Sequence, residues 1–438
     1  MKPLKKNTKF IDKANDLTSS ALAVFKVEDF PIFVKDSLPG EESEIIVTKL
    51  LRNYGFGRAL KRFNDHPQRT KPICPLYPQC GGCQMMHMSY LYQLDFKHQR
   101  VVDSLKRNGD IKHPVDPILN ADNPLYYRNK VMVPVAHSPF EAGFYRTNSH
   151  NIVDMDFCYI QSKTLNALYQ EIKDFIRVNQ LTQVKTIILR EGYFTGEILV
   201  ALSLTSRDTS FEDQFVNQFK THEMIKSIQL TFNLSNSNVP ISDEIKLLYG
   251  TPFIKEKILG LEFKLSLNSF FQINSLQTEK LYSKVLELAQ IKSTDKVLDL
   301  YCGVGTMSLL FAKQAYKVYG VDIVEQAIED AKRNALNNKL NNIEFIAMDA
   351  TKFVNTNEEA FDLLVVDPPR KGLSAQGIQD ILKLAAKRMI YVSCNPDTLA
   401  RDLKLLSSGY SIVEITPVDM FSQTVHVETV VLMSRVEK

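Results

Sequence analysis

The sequence predicts an α/β protein in three parts, the last of which is a doubly wound parallel sheet. Its 438 residues correspond to about three domains of ordinary size. From about residue 286 onward, strand-like and helical runs alternate, which is typical of βαβ units. Short β-like runs separated by turns fill residues 16–60 and predict a small barrel. We place the three parts at residues 8–66, 67–262 and 263–438.

The predicted barrel consists of runs rich in branched and aromatic residues, at 22–26, 32–34 and 44–51. A turn-forming stretch at Asp36–Gly40 separates the second run from the third. Short strands at this spacing favour a barrel. Residues 67–262 show both strand-like and helical patterns, which predicts a mixed α+β central part.

Positive charge is concentrated in the N-terminal part. Residues 1–70 contain 13 Lys/Arg and nine Asp/Glu, while the whole chain has a net charge of only +3. Between residues 49 and 62, basic side chains are interleaved with the rings of Tyr54 and Phe56. Cations neutralise phosphates and aromatic rings stack on bases, so we expect this part to bind a polyanion. An ordinary solvated surface is the alternative that charge alone favours.

The C-terminal part shows the clearest pattern. Its apolar strand-like runs are 296–300, 317–321, 342–347, 361–366 and 389–392. They are separated by helical patterns near residues 305–315, 324–338, 375–387 and 397–406. This repetition predicts a parallel, doubly wound sheet. Two further runs, at 410–417 and 427–434, are joined too closely for a crossover helix and predict an antiparallel hairpin at the sheet edge.

Small and acidic residues follow these strands, at the edge where doubly wound sheets bind ligands. The loop Tyr301–Gly305 contains two glycines, which let a ligand approach the backbone closely. The next three strands are followed by Asp322, Asp349 and Asp367. Each acid alone could be a helix N-cap, but their shared position predicts a nucleotide cofactor. A nicotinamide dinucleotide fits less well, because Ser308 replaces the third glycine of its usual motif.

A cysteine and a glutamate are expected at the same edge of the sheet. Cys394 follows the run 389–392, and Glu428 begins the last strand, whose antiparallel direction brings its start to that edge. The helix that begins near Pro396 is expected to lower the pKa of Cys394. A thiolate can bond covalently to a substrate, and a carboxylate beside it can remove a proton from the same substrate. A buried structural cysteine and a surface glutamate are the alternatives.

Four of the six cysteines form a candidate metal site. Cys74, Cys80 and Cys83 crowd into ten residues, which argues against a disulfide framework. Because Cys302 and Cys394 belong to the C-terminal sheet, elimination leaves Cys158 as the fourth ligand. Four thiolates can hold zinc or an iron–sulfur cluster, and spacing alone does not choose between them. A redox or metal-free role is the remaining alternative.

The start of the chain indicates its location. Residues Met1–Lys6 are basic but are not followed by an apolar core, so we expect no secretory signal. No apolar run approaches the roughly 18 residues of a membrane-spanning helix. The cysteine usage suits a reducing compartment. We therefore expect a cytoplasmic protein without membrane contact. We also expect it to be a monomer.

The pattern D-x-x-C-G-x-G, then a strand-end acid, then D-P-P, resembles class I S-adenosylmethionine-dependent methyltransferases, which have a Rossmann-like domain. Residues 393–402 (S-C-N-P-D-T-L-A-R-D) and the D-M-F…H-x-E segment at 419–428 resemble the signatures of RNA uracil-5 methyltransferases. This resemblance implies that Cys394 is the nucleophile and Glu428 the base. It also implies five cofactor-binding residues, namely Tyr301, Asp322, Asp349, Asp367 and, from an F-x-Q-x-N segment, Gln272.

The resemblance extends to the other two parts. The C-G-G-C-Q segment at 80–84 and the distant Cys158 resemble the members that carry a [4Fe–4S] cluster, which implies the ligands Cys74, Cys80, Cys83 and Cys158. The basic barrel resembles their TRAM domain, which has an OB-like shape and binds RNA. These features imply an RNA substrate, first of all 23S rRNA, with transfer RNA as the alternative. Residues 422–424 read Ser-Gln-Thr where the family often has Pro-His-Thr.

Two other functions fit parts of the pattern. Asp367-Pro368-Pro369 is similar to the D-P-P-Y motif of amino-group methyltransferases, although such an enzyme would have no need of Cys394. A non-catalytic RNA-binding protein would need neither reacting residue. A covalent adduct through Cys394 distinguishes uracil methylation from the first alternative, and cofactor binding distinguishes it from the second.

Overall fold

The computed structural model describes residues 4–235 and 239–436. These residues form three large sheets, a two-stranded ribbon and nine α-helices. Residues 1–3, which begin the basic stretch for which no secretory signal is expected, lie outside the described residues. No helix in the described ranges has the length and apolar character needed to cross a lipid bilayer.

The first sheet has six strands and curls, which is consistent with the predicted small barrel. Its strands are β1 (Lys9–Lys13), β2 (Asp16–Leu17), β3 (Ala23–Val27), β4 (Phe30–Val34), β5 (Glu42–Leu50) and β6 (Gly55–Arg62), in the order β1-β5-β6-β4-β3-β2. β1 contacts β3 across the interior, where Phe25 and Ile32 are buried. Gly57 allows the strands to approach closely, since a Cβ there would lie 2.7 Å from Ile45 Cγ2.

The central part combines one long helix with a mixed sheet. Helix α1 spans Tyr90–Ser104 and continues into a π-helical turn at Leu105–Gly109. The sheet strands are β7 (Lys130–His137), β8 (Phe140–Tyr145), β9 (Ile152–Asp154), β10 (Val184–Glu191), β11 (Ile198–Leu204), β12 (Ile225–Phe232) and β13 (Ile245–Gly250), in the order β13-β12-β11-β10-β7-β8-β9. Apolar side chains of α2 (Lys163–Val178) and α3 (Glu212–Phe219) pack into the core of this sheet.

A ribbon links the central part to the third sheet. It consists of β14 (Phe253–Ile258) and β15 (Leu261–Ser266), and helix α4 (Ser275–Ala289) follows it. Ile254 and Phe263 of the ribbon share a core with residues of the third sheet. The expected boundary between residues 262 and 263 therefore falls inside β15, and the division of the chain into three domains stays a prediction.

The third sheet has the doubly wound architecture that the sequence predicts. Its strands are β16 (Lys296–Leu300), β17 (Lys317–Asp322), β18 (Ile343–Ala347), β19 (Leu363–Val366), β20 (Arg388–Ser393), β21 (Tyr410–Val418) and β22 (Glu428–Arg435), in the order β18-β17-β16-β19-β20-β22-β21. The first five are parallel, and the β21–β22 hairpin lies antiparallel at the edge. The accompanying helices are α5 (Thr306–Ala312), α6 (Glu325–Asn337), α7 (Ala350–Thr356), α8 (Ala375–Leu384) and α9 (Pro396–Leu406).

A buried ion pair joins α1 to the loop between β21 and β22. Lys97 Nζ donates to Asp419 Oδ1 at 2.5 Å, and both side chains are almost fully shielded from solvent. Tyr90 Oη and Ser422 Oγ donate to the other carboxylate oxygen, Oδ2, at 2.7 and 2.6 Å. A buried charge without its partner is costly, so this network fixes the loop that leads into Glu428.

Candidate active site and cysteine-lined cavity

The loop after β16 lies at the carboxyl edge of the third sheet, and we call its surroundings the recess. Tyr301, Gly303 and Gly305 have left-handed φ angles of 66°, 54° and 80°. A Cβ on Gly303 would meet nothing within 4 Å, so the backbone there borders open space. A Cβ on Gly305 would lie 2.5 Å from Phe345 Cζ, so this position requires glycine. The recess suits a ligand held close to the main chain.

The acids at the carboxyl ends of β17 and β18 have different surroundings. Asp322 Oδ2 accepts the N–H of Gly303 at 3.0 Å, and Asp322 Oδ1 accepts the N–H of Val324 at 2.9 Å. Carboxylate oxygens have further lone pairs that can accept hydroxyl donors. Asp349 is exposed and caps α7, where it accepts the N–H of Lys352 at 3.1 Å. A cofactor contact by either acid stays a prediction.

Carboxyl groups with raised pKa values are concentrated at the recess. Burial, followed by the charges of Asp367 and Asp322, raises the pKa of Asp299 to about 7. Burial raises the pKa of Asp367 to about 7, and burial with the charge of Asp367 raises the pKa of Glu428 to about 8. Asp299 Oδ2 accepts from Ser308 Oγ at 2.5 Å, while its buried Oδ1 has no partner in the described part of the chain. These groups favour a cationic ligand, which would stabilise their ionised forms.

Two residues of this region are missing from the sequence-based set of site residues. Asp299 opens the D-x-x-C-G-x-G motif, so the signal was available. Tyr282 lies buried on α4, where burial and the charges of Asp367, Asp299 and Glu428 raise its pKa. Its helical spacing marks it only as a core residue.

Gln272 and Tyr301, the other predicted cofactor residues, are both half-buried. The backbone carbonyl of Gln272 accepts the side-chain N–H of Asn129 at 3.3 Å. Asn129 also donates to Ser275 Oγ at 2.9 Å, so the central part holds the segment between β15 and α4 in place. Tyr301 packs against the core of the third sheet. Their contacts with a cofactor stay predictions.

Cys394 and Glu428 are brought together by the pairing of β20 with β22. The strand register pairs Ser393 with Thr429, so one further step places Cys394 opposite Glu428. Glu428 is buried and Cys394 is half-buried, and the Glu428 charge acts on the thiol. A thiol and a carboxyl group therefore lie side by side next to the acidic recess.

The expected lowering of the Cys394 pKa is wrong. Burial, followed by the charges of Glu428 and Asp367, raises this pKa to about 11, while Arg370 acts in the opposite direction. The N-terminus of α9 is already capped, since the Asn395 side chain accepts the N–H of Asp397 at 3.2 Å. The thiol is therefore protonated at neutral pH in the free protein.

One cavity in the central part is lined by four cysteines, Cys74, Cys80, Cys83 and Cys158. Most of the other lining side chains are apolar or aromatic, and Arg128 is a cation among them. Burial raises the pKa of Cys80, Cys83 and Cys158, and neighbouring thiols raise it further. Within residues 4–235 and 239–436, no group of three or more His, Cys, Asp or Glu is arranged to hold a metal ion.

Comparisons with known proteins agree on one family. Residues 89–436 match the family model for tRNA (Uracil-5-)-methyltransferase. An uncharacterized RNA methyltransferase of Bacillus cereus is 42% identical, covering 100% of this chain and 98% of that protein. Another from Clostridium tetani is 37% identical, covering 99% and 97%. The crystal structure of Pyrococcus abyssi tRNA (uracil-54, C5)-methyltransferase with S-adenosyl-L-homocysteine has a TM-score of 0.79 and 30% identity, covering 97% of this chain and all of that one.

The family match includes α1, the recess, Cys394 and Glu428. It therefore disfavours an amino-group methyltransferase and a non-catalytic RNA-binding protein. The structural neighbour was solved with S-adenosyl-L-homocysteine, which supports binding of S-adenosylmethionine by this chain. The protein is an enzyme, and the chain belongs to the family of S-adenosylmethionine-dependent RNA uracil-5 methyltransferases.

Proposed function

We propose that the protein methylates C5 of a uracil in RNA, with Cys394 as the nucleophile and Glu428 as the base. The observation that carries this proposal is the position of a thiol beside a buried carboxyl group at the carboxyl edge of the sheet. An amino group is itself a nucleophile, so its methylation does not require covalent activation by a neighbouring thiol. Uracil C5 is a poor nucleophile, and a thiol can activate it by covalent addition.

Each reacting residue has one chemical task. The Sγ of Cys394 forms a bond to C6, which moves an electron pair onto C5 and the adjoining carbonyl group. Bound S-adenosylmethionine would supply the methyl group: the C5 electron pair would form the bond to the methyl carbon as the methyl–sulfur bond breaks, and S-adenosylhomocysteine would leave. Glu428 accepts the C5 proton, and the released electron pair forms the C5=C6 double bond as the Cys394 Sγ–C6 bond breaks. The thiolate is regenerated, so the reaction balances without an oxidant.

Both reacting groups must lose a proton before catalysis. The raised pKa values, about 11 for Cys394 and about 8 for Glu428, leave both groups mainly protonated at neutral pH. The positive charge of Arg370 favours the Cys394 thiolate. A cation in the neighbouring recess would favour the ionised form of Glu428 by the same Coulomb attraction. We propose that filling the recess ionises the base.

The recess fits the proposed cofactor on two observations. Gly303 borders open space, and the buried Asp299 Oδ1 has no partner among the described residues. A sulfonium centre carries positive charge, which the carboxyl groups around the recess would stabilise. The proposed binding residues are Gln272, Tyr301, Asp322, Asp349 and Asp367.

We propose that the cysteine-lined cavity holds a [4Fe–4S] cluster on Cys74, Cys80, Cys83 and Cys158. Thiolates are the ligands that such clusters use, and all four cysteines line one largely apolar cavity. Zinc is the alternative that the spacing of the four cysteines leaves open. Methyl transfer needs no electron, so we assign the cluster a structural role. It would tie residues 74–83 to Cys158 and shape the surface that meets RNA.

We propose 23S rRNA as the substrate, bound in part by the N-terminal sheet acting as a TRAM domain. The combination of a four-cysteine set with a basic barrel supports this substrate. Phe33, Tyr54 and Phe56 form a cluster with ring centroids 5.3 to 6.1 Å apart, on which a base could stack. Transfer RNA is the second candidate, favoured by the match to a tRNA methyltransferase over 97% of this chain. A cytoplasmic location and a monomeric state stay part of the proposal.

Covalent catalysis predicts that the protein forms a stable adduct with RNA containing 5-fluorouridine. The fluorine at C5 cannot leave as a proton, so the reaction stops while Cys394 is bonded to C6. A denaturing gel measures the adduct, which Cys394→Ala should abolish together with methylation. Glu428→Gln should retain adduct formation and lose about 10²- to 10⁴-fold in turnover. Full methylation by Cys394→Ala would disprove the covalent mechanism.

The raised pKa of Glu428 predicts a rate that increases with pH. A base with a pKa of about 8 is only about one-tenth ionised one pH unit below that value. We therefore expect kcat/KM for S-adenosylmethionine to rise at least about tenfold between roughly pH 7 and pH 9, because ionisation of Cys394, whose pKa is about 11, adds to that of Glu428. At saturating S-adenosylmethionine, the rise in kcat/KM for RNA should move to lower pH, because the bound cation favours the ionised form of Glu428. A flat profile for the first parameter would contradict the role given to Glu428.

The cluster proposal predicts a coloured protein. After anaerobic purification, we expect about four iron atoms per chain and a broad visible absorption band. Cys80→Ser should lose both iron and colour. Cys302→Ser is the matched control, because Cys302 lies in the recess loop rather than in the cavity, and it should keep the iron. A colourless protein with one zinc ion per chain would overturn the proposal.

A further inference from the structure

The surroundings of Arg100, a residue of α1, indicate that a binding partner is missing. Its Nη1 donates to the backbone carbonyl of Val425 at 2.5 Å, in the loop that precedes Glu428. Its Nε is buried and has no hydrogen-bond partner among the described residues. Buried donors are rarely left unpaired in native proteins, so a missing partner such as a bound anion is the simplest physical explanation.

A second arginine lies close to Arg100. Burial, and after it the positive charges of Arg370 and Arg100, lower the pKa of His426, so both cations approach the loop that leads into Glu428. Arg370 also acts on the Cys394 thiol. Its backbone carbonyl accepts from Asn395 Nδ2 at 3.2 Å, which places Arg370 beside the segment that carries the nucleophile. Two like charges held this close favour an anion between them.

No carboxylate among the described residues forms a direct ion pair with either arginine. Asp397 is the acid whose charge acts on Arg100, but it accepts from Ser104 Oγ at 2.8 Å and Asn108 Nδ2 at 2.9 Å instead. Lys97, the third cation near His426, is already paired with Asp419. The cations of this region without an ion-pair partner among the described residues are therefore the two arginines.

We propose that Arg100 and Arg370 form a binding site for one backbone phosphate of the RNA strand, next to the uridine that Cys394 attacks. Guanidinium groups match the charge and geometry of a phosphate. Phosphates are the anions that every RNA substrate carries along its backbone. This inference rests on the proposed function, because it requires RNA to occupy the site of Cys394.

A groove next to Arg100 limits where the RNA backbone can lie. The groove runs along α1 between the N-terminal sheet and α9, and Arg100 lines it together with Arg107. Its other charged lining residues are acidic, namely Asp16, Asp95, Asp103 and Asp397. Acidic side chains repel phosphates, so we expect the strand to contact this groove only at its Arg100 end. The site thus positions one phosphate and leaves base recognition to other residues.

The test compares two Arg→Gln substitutions of equal charge change. Arg100→Gln should weaken binding of a single-stranded RNA oligonucleotide that contains one uridine. It should also reduce by about one the slope of log Kd against log salt concentration. Arg107→Gln is the control, because Arg107 is exposed and paired with Asp103 at 3.3 Å on the helix surface. Equal affinities and equal salt slopes for Arg100→Gln and the wild type would overturn the proposal.

Two further measurements keep the outcome interpretable. Binding of S-adenosylmethionine should be unchanged in Arg100→Gln, which separates a phosphate contact from general misfolding. If this variant does not fold, wild-type binding is measured on the same oligonucleotide with one neutral methylphosphonate linkage at each position in turn. One sensitive linkage beside the uridine is expected, and equal small effects at every position would contradict the site.

The adduct with 5-fluorouridine RNA separates failure of this inference from failure of the proposed function. If the wild type forms the adduct and Arg100→Gln binds RNA with an unchanged salt slope, only the phosphate site is wrong. If the wild type forms no adduct, the proposed chemistry is wrong, and the inference that depends on it falls with it.

Discussion

The position of Glu428, the proposed base, depends on the buried ion pair between Lys97 and Asp419. Both charges are removed from water, so each would cost several kcal/mol without the other. The pair joins α1 to the loop between β21 and β22, and that loop ends at Glu428. Tyr127 Oη adds a second link by donating to the backbone carbonyl of Ser422 at 3.0 Å. The carboxyl edge of the sheet is therefore completed by contacts from the central part, not by the sheet alone.

The same loop also reaches the cysteine-lined cavity. The backbone carbonyl of Gln423 accepts the N–H groups of Gln84 and Met85, at 3.0 and 3.1 Å, immediately after Cys83. Gln423 lies in the segment 422–424, which reads Ser-Gln-Thr where the family often has Pro-His-Thr. Because these bonds use main-chain atoms, they do not depend on the identity of the side chain at position 423. A cluster in the cavity would thus stiffen the segment that supports Glu428, the proposed base, without taking part in methyl transfer.

The sequence predicts the third sheet well and the electrostatics of its site poorly. Parallel strands buried on both faces leave long apolar runs, and the seven predicted strands of this sheet are present. Helix α7 is missing from the sequence-based prediction, because its seven residues are too few to show a helical period. The central sheet is harder because its order depends on distant pairings, such as β7 with β10. The Cys394 pKa was predicted in the wrong direction because α9 is visible next to it in the sequence, whereas Glu428 reaches it only through β22.

The most direct measurement of the central claim is a map of 5-methyluridine in RNA from cells that lack this gene. We expect at least one 5-methyluridine to be missing from 23S rRNA, and to return when the wild-type gene is restored but not when Cys394→Ala is supplied. Loss confined to transfer RNA would keep the C5 chemistry and replace the substrate. Unchanged 5-methyluridine in every class of RNA would contradict the assignment of uracil C5 methylation.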